Sequence, residues 1–236
     1  MQKSATHTDC ETCAARFHSV FHGLEGENLQ EVNYGKACSV FKKSSYIFNE
    51  GQYPQGVYCV NKGKVKVMQT GDEGKEQIVR LAKAGDILGY RALLSGEKYS
   101  SSAVAIDDSS VCFIPKAIFF KLLEKDAPLS MEIMKLLSSD LKKAENKITD
   151  LAQKPVRERM AEALLFLKET YGYEPDTTII NVVLSREDIA NIVGTATETA
   201  IRLISEFKQS KIIESVGKKI QIIDLPKLIK TANVSD

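Results

Sequence analysis

Residues 184–208, LSREDIANIVGTATETAIRLISEFK, leave the chain few folds to choose from. Ser185 stands before a charged first turn with Asp188 three residues on, a capping-box pattern with Asp where Glu or Gln is usual. Ile189, Ile192 and Val193 then recur at helical spacing. Gly194 suits the left-handed conformation that ends a helix. Thr197 is placed to cap a second helix, with Glu198 in its first turn, where the helix dipole favours negative charge. Ala200, Leu203, Ile204 and Phe207 give that helix an apolar face, and Glu198, Thr199 and Arg202 occupy the other. Two short helices about a glycine turn, the second presenting polar side chains from its first turns, describe a helix-turn-helix. Its chemistry suits DNA: a glutamate accepts from cytosine N4, and an arginine donates twice to guanine O6 and N7. Glu198 and Arg202 lie four apart on one face, so the competing reading is an i,i+4 ion pair on an ordinary surface helix.

The rest of the chain supplies what such a reader needs. With 236 residues there is room for one large or two modest domains. The formal net charge is only +1, so affinity for DNA has to come from local placement of Lys and Arg. No apolar run is long enough to span a bilayer, and the start MQKSATHTDCETC has no apolar signal core; the expected location is the cytoplasm. Residues 1–23 read as a polar tail carrying Cys10-x-x-Cys13 and all three histidines, His7, His18 and His22. Residues 24–127 open on a short helix and continue as brief Val-, Ile- and Tyr-rich runs punctuated by glycine, the pattern of an antiparallel β-roll of jelly-roll type. Asn61-Lys62-Gly63 and residues 71–74 are hairpin-like turns. Residues 128–153 read as one long helix. On it Met134, Leu137, Leu141, Ala144, Ile148 and Leu151 fall at alternating spacings of three and four, a narrow seam suited to a second copy of the chain. Pro155 breaks that helix and marks a hinge near Gln153-Lys154. Residues 154–236 then hold an amphipathic helix, a short strand at 179–184, the helix-turn-helix, and a hairpin with Lys218 and Lys219 at its tip, placed to meet phosphates. The fold class is therefore α+β: sensor roll, dimerisation helix, winged helix-turn-helix.

In that order, and with residues 50–67 reading EGQYPQGVYCVNKGKVKV, 84–89 reading AGDILG and 185–202 reading SREDIANIVGTATETAIR, the chain resembles the Crp/Fnr family of bacterial transcription regulators. The resemblance covers about residues 24–225 and implies a homodimer on palindromic double-stranded DNA, an effector domain coupled to the reader, and contact with RNA polymerase where the regulator activates. By position, Thr197, Glu198 and Arg202 match the family's base-contacting residues, and Thr197 replaces the arginine of the cyclic-AMP receptor branch. Ser185, Arg186, Thr195 and Thr199 join them as DNA-binding candidates.

The effector is where the sequence departs from that branch. Its phosphate cassette carries a Gly-Glu pair and, about ten residues later, an arginine beside Ser or Ala. Here the positions are Gly89-Tyr90 and Ser101-Ser102, and Glu145 falls where those receptors keep a small hydroxyl residue. Without the arginine an anionic phosphate meets only neutral donors, which argues against cyclic AMP and leaves a small-molecule effector unidentified. The oxygen-sensing Fnr branch offers an alternative, a [4Fe–4S] cluster. Cys112 stands where that branch keeps its roll cysteine, and Cys10 and Cys13 match two N-terminal ligands. Ser19 falls at the third position, with Cys38 or His18 as possible substitutes. Competing readings are small core thiols, a redox pair or a zinc pair. Five cysteines in a cytoplasmic chain point to thiols or a metal site more than to disulfides. The cofactor thus stays open: none, or the cluster. An enzyme is the remote alternative, for no nucleophile and base can be placed together and no glycine-rich phosphate loop precedes a helix.

Overall fold

A computed structural model describes residues 8–233, so His7 lies outside the described residues. The chain divides into two compact units, one holding the described residues up to Gly74 with Val79–Lys142, the other Lys75–Ile78 with the described residues from Lys143 on.

The first unit starts with a packed segment. Residues 8–23 were expected as a polar tail, yet Cys10, Ala15 and Phe21 are buried. The cause is Arg16, whose guanidinium donates to the carbonyls of Cys10 at 2.8 Å, His22 at 3.1 Å and Leu24 at 3.1 Å, folding the segment around itself. Helix α1 (Gly26–Gly35) leads into strands β1 (Ala37–Phe41), β2 (Tyr46–Phe48), β3 (Gly56–Lys62), β4 (Lys64–Thr70), β5 (Glu76–Lys83) and β6 (Ile87–Leu88). A short helix α2 (Tyr90–Ser95) precedes β7 (Ser102–Ala105) and β8 (Ser109–Pro115). They form two four-stranded sheets, β1-β8-β3-β6 and β2-β7-β4-β5, with antiparallel pairing. The expected roll is present, and alternation explains it: Val65 and Val67 of β4 point inward while Lys64 and Lys66 lie half-exposed. Gly63 makes the turn between β3 and β4 at φ +98°, and a Cβ there would sit 2.3 Å from Ser109 Oγ, so both backbone angle and space require glycine. Helix α3 (Lys116–Lys125) follows, and Asp126 then caps α4 (Ala127–Gln153), its carboxylate accepting from the Leu129 N–H at 2.9 Å.

Helix α4 runs as one element past the boundary of the first unit. Of the expected seam, Met134 is 52% exposed, Leu141 61% and Ile148 68%, and Ala144 is also exposed, whereas Leu137 is half-buried. Met134, Leu141, Ala144 and Ile148 thus form an apolar face that the described residues leave exposed, while Leu137 packs on the core.

In the second unit α5 (Val156–Tyr171) begins directly after Pro155, which starts the helix as its N-cap. Residues 179–184 were expected as a strand and are only a pair of bridges, Tyr173 with Ile180 and Ile179 with Gln221. Helices α6 (Arg186–Val193) and α7 (Thr197–Gln209) precede the hairpin β9 (Ile213–Val216) and β10 (Lys219–Ile222). Ala200, Leu203, Ile204 and Phe207 of α7 are buried, the larger three each stabilising the fold by about 1.5–3 kcal/mol. A last helix, α8 (Leu225–Ala232), was not anticipated, although its signals are local: Asp224 caps it and Pro226 stands in its first turn.

Candidate functional site

The reading face is built by caps and a turn. Ser185 Oγ accepts from the Asp188 N–H at 2.9 Å, and the Asp188 carboxylate accepts from the Ser185 N–H at 3.0 Å. This reciprocal box satisfies two amide donors that would otherwise lack partners at the start of α6. Gly194 ends α6 at φ +73°. The expected cap of α7 is corrected: Ala196 is the N-cap without a side-chain bond, and Thr197 is the first helical residue. Its hydroxyl is therefore not consumed by capping. Glu198 is exposed and its carboxylate has no partner among the described residues. Arg202 is 64% exposed and donates to Glu206 at 2.5 Å, not to Glu198. The surface pair that competed with base reading thus exists one turn further on, and Glu198 stays outside it. Thr195 and Thr199 are half-buried beside these residues in sequence. Arg186 is half-buried, and its Nη1 has no hydrogen-bond partner among the described residues. At the hairpin Lys218 is exposed, but Lys219 is committed to Glu174, so the basic tip is one lysine smaller than expected.

Two cations that the sequence reading missed hold the turn. Lys147 Nζ donates to the Ile192 carbonyl at 3.0 Å, and Arg159 donates to the carbonyls of Leu151 at 2.8 Å and Gly194 at 3.3 Å. They neutralise the carbonyl ends of α6 and of α4, where the helix dipole favours positive charge. Burial lowers the pKa of Lys147 from the ordinary lysine value. A helical Arg and Lys at such spacing look like surface residues, and only tertiary packing reveals them.

Of the effector candidates Tyr90, Ser101 and Ser102 are buried. Tyr90 is 1% exposed, and its phenol donates to Asp140 while accepting from Arg80 at 3.0 Å. Burial, with the hydrogen bond to Asp140, pushes that phenol up to about 12. Gly89 packs beside Tyr99. Ser101 and Ser102 are buried, and Ser102 Oγ accepts from the Glu50 N–H at 2.9 Å. Glu145 is exposed on α4.

The cysteines converge more than their spacing suggests. In the first sheet Cys112 of β8 lies opposite Cys38 of β1 on one side and opposite Cys59 of β3 on the other. Directly opposed residues share a face, so three sulfurs form a row across the sheet. That face lines a cavity closed by the N-terminal segment, in which Cys10, Cys13, Cys59 and Cys112 all take part. Lys36 donates to Cys10 Sγ at 2.7 Å, and Cys13 Sγ lies 3.4 Å from Asn61 Oδ1. Cys38 and Cys112 are joined by a disulfide, against the expectation of free thiols. Burial pushes the Cys59 thiol up to about 12, with Cys13, Cys10 and Asp86 adding to it. Among the described residues no three of His, Cys, Asp and Glu are gathered closely enough to hold a metal ion. Of the substitutes named for the missing ligand, His18 is exposed and Cys38 is bonded to Cys112. The cavity is therefore lined by three free thiols and the disulfide-bonded Cys112, with the Lys36 ammonium at Cys10 Sγ.

A roll, a long helix and a winged helix-turn-helix with an exposed reading face are the parts of a DNA-binding transcription regulator. Comparison with known proteins agrees: the cyclic nucleotide-binding domain matches residues 39–126, and the Crp-like helix-turn-helix domain matches residues 158–231. The chain belongs to the Crp/Fnr family. It is 32% identical over 197 residues to the fumarate and nitrate reduction regulatory protein of Vibrio cholerae, covering 82% of this chain and 78% of that one. It is 27% identical over 232 residues to the anaerobic regulatory protein of Haemophilus influenzae, covering 98% and 90%. Among solved structures, a Crp/Fnr-family transcriptional regulator of Thermus thermophilus superposes with a TM-score of 0.71 at 27% identity, over 84% of this chain and all of the other. No helix among the described residues is long and apolar enough to cross a membrane.

Proposed function

We propose that the chain is a homodimeric regulator that reads a palindromic operator through Thr197, Glu198 and Arg202, with its output set by cysteine chemistry in the roll. The observation that carries the DNA reading is the exposed face of α7, with Glu198 unpaired on a helix held by a capping box, a glycine turn and the two cations. The bare seam on α4 supports the dimer, whose symmetry would match two half-sites about one helical turn apart. RNA polymerase is a further partner where the bound regulator activates.

For the signal, the cyclic-AMP reading has little support. The residue at the place of the ribose-binding glutamate is Tyr90, which is turned inward onto Asp140. The second reading, a redox or oxygen sensor using Cys10, Cys13, Cys112 and one further ligand, has the shared cavity in its favour. Relatives named as a fumarate and nitrate reduction regulatory protein and an anaerobic regulatory protein support the same reading. The test is selection of bound DNA from a random pool, with and without air and with and without cyclic AMP. A palindromic consensus, enriched differently with and without air and indifferent to cyclic AMP, is expected. A pool without consensus would defeat the DNA reading. A consensus sharpened only by cyclic AMP would defeat the cysteine reading alone.

A further inference from the structure

Lys36 stands directly after α1, and its side chain turns to the N-terminal segment. It is 9% exposed and Cys10 is 8% exposed, so both are buried. Lys36 Nζ donates to Asn33 Oδ1 at 2.7 Å and lies 2.7 Å from Cys10 Sγ. The same Asn33 oxygen accepts the Cys10 N–H at 2.9 Å. Asn33 thus aligns the two partners, one from each side, across 26 positions of sequence. A separation of 2.7 Å is at the short end for N–H···O bonds, and sulfur is the larger atom, so no other side chain comes between nitrogen and sulfur. The side-chain partners of this buried ammonium are a neutral amide and a sulfur. The neighbouring free thiols are engaged in other ways. Cys13 Sγ lies 3.4 Å from Asn61 Oδ1. Burial pushes the Cys59 thiol up to about 12, so it stays protonated near neutral pH and is a weak nucleophile.

We propose that Cys10 and Lys36 form a modification site, in which oxidation of the cysteine by a hydroperoxide joins Cys10 Sγ to Lys36 Nζ by a covalent S–N bond. This rests on the sensor reading above and names a product for its cysteine chemistry. In the first step the Cys10 sulfur attacks one oxygen of hydrogen peroxide. The O–O bond breaks and an S–O bond forms, giving the Cys10 sulfenic acid and water; sulfur has lost two electrons to the peroxide. A sulfenic acid condenses with a thiol or with a nitrogen that lies against it, and here that nitrogen is Lys36. Lys36 passes one ammonium proton to solvent, and its lone pair attacks the sulfur. The S–O bond breaks, and the hydroxyl leaves as water with a second proton from the nitrogen, so the S–N bond keeps one N–H. A thiol reverses the bond by attacking the sulfur and releasing the amine, as in thiol–disulfide exchange. Lys36 immediately precedes β1, so the bond ties the N-terminal segment to the edge of the first sheet, over the cavity that Cys10 and Lys36 line.

The test uses the full chain, purified without air, treated with hydrogen peroxide and then alkylated at its remaining thiols. Cleavage at acidic residues separates the Cys10 peptide from the Lys36 peptide. Wild type is expected to give the two linked, lighter than their sum by a pair of hydrogens, with fragmentation placing the bond on Lys36 and not on Cys38. A dithiol should release them. Lys36→Arg keeps the positive charge but replaces the amine by a weakly nucleophilic guanidinium. It should lose the link, keep the circular dichroism of wild type and accumulate sulfenic or sulfinic acid at Cys10. Asn33→Ala, which leaves both reacting groups in the chain, should lower the yield of the link. Should either variant fold poorly, the wild-type peptide map decides alone. Cys10 joined to Cys13 or Cys59, Cys10 as sulfinic acid in wild type, or Cys10 alkylated as readily after peroxide as before would overturn the assignment and leave the sensor reading standing. A link that forms while operator binding is the same with and without air or peroxide would support the site and defeat the sensor reading.

Discussion

Glu198 and Arg202 show how a pair of side chains can be correctly singled out yet wrongly paired. Arg202 has an acid four residues away on either side, Glu198 and Glu206, and a Glu preceding its cation is usually the better partner in a helix. Glu206 wins because Arg157 of α5 also donates to it at 2.9 Å, holding the carboxylate in place. Glu198, meanwhile, is stabilised in the first turn by the helix dipole. The Arg202–Glu206 pair is exposed and worth about 0–1 kcal/mol, so exchanging it for a base edge costs little. Ala substitution at Glu198 or Arg202 should therefore leave nonspecific DNA binding nearly intact. Each should lower discrimination at one base-pair position of each half-site by about 1–3 kcal/mol. Competition binding with single-base operator variants measures this, and a uniform loss across all sequences would reassign these residues to phosphate contact. The capping box at Ser185 was legible because all its atoms lie within four residues; the Glu206 fork was not, because Arg157 arrives from another helix.

At the scale of elements, the turn between α6 and α7 couples the reader to the end of α4. A Cβ on Gly194 would lie 2.9 Å from Leu151 Cδ2, and the backbone there has φ +73°. Leu151 thus packs towards this turn, while its carbonyl is bonded by Arg159. It is 38% exposed, against 61% for Leu141, so the last seam residue serves the helix-turn-helix as well as the stripe. Gly194→Ala should cost about 1–2 kcal/mol from the left-handed backbone, with a further loss as Leu151 shifts. The lowered unfolding midpoint in denaturant measures it, and an unchanged midpoint would show that the turn relaxes freely. Glycine at a helix end was readable as a stop signal; its second duty against Leu151 was not, because spacing along one helix says nothing about what another presses against it. The alternating period of the roll strands was legible for the same reason that the cysteine row was hidden. Periodicity gives the face of a residue, but not that β8 is seated between β1 and β3.

For the molecule as a whole, the decisive surface is the stripe on α4. Leu141 and Ile148 are among its most exposed apolar residues, and the second copy proposed above would release the water around them. Two helices paired along such a seam bring two reading faces to one operator. The second half-site is then bound intramolecularly, a gain of about 10²–10⁴ over one half-site alone. Replacing both residues, Leu141→Lys with Ile148→Lys, places charges face to face across the seam while touching none of the buried core. The expected result is a chain that sediments at half the wild-type mass and keeps its circular dichroism. It should bind an isolated half-site as before and lose the avidity on the full palindrome. If the double variant still sediments as a dimer, the stripe is not the dimer interface. If it is monomeric yet holds the palindrome as tightly as wild type, recognition does not need the symmetry that the seam supplies.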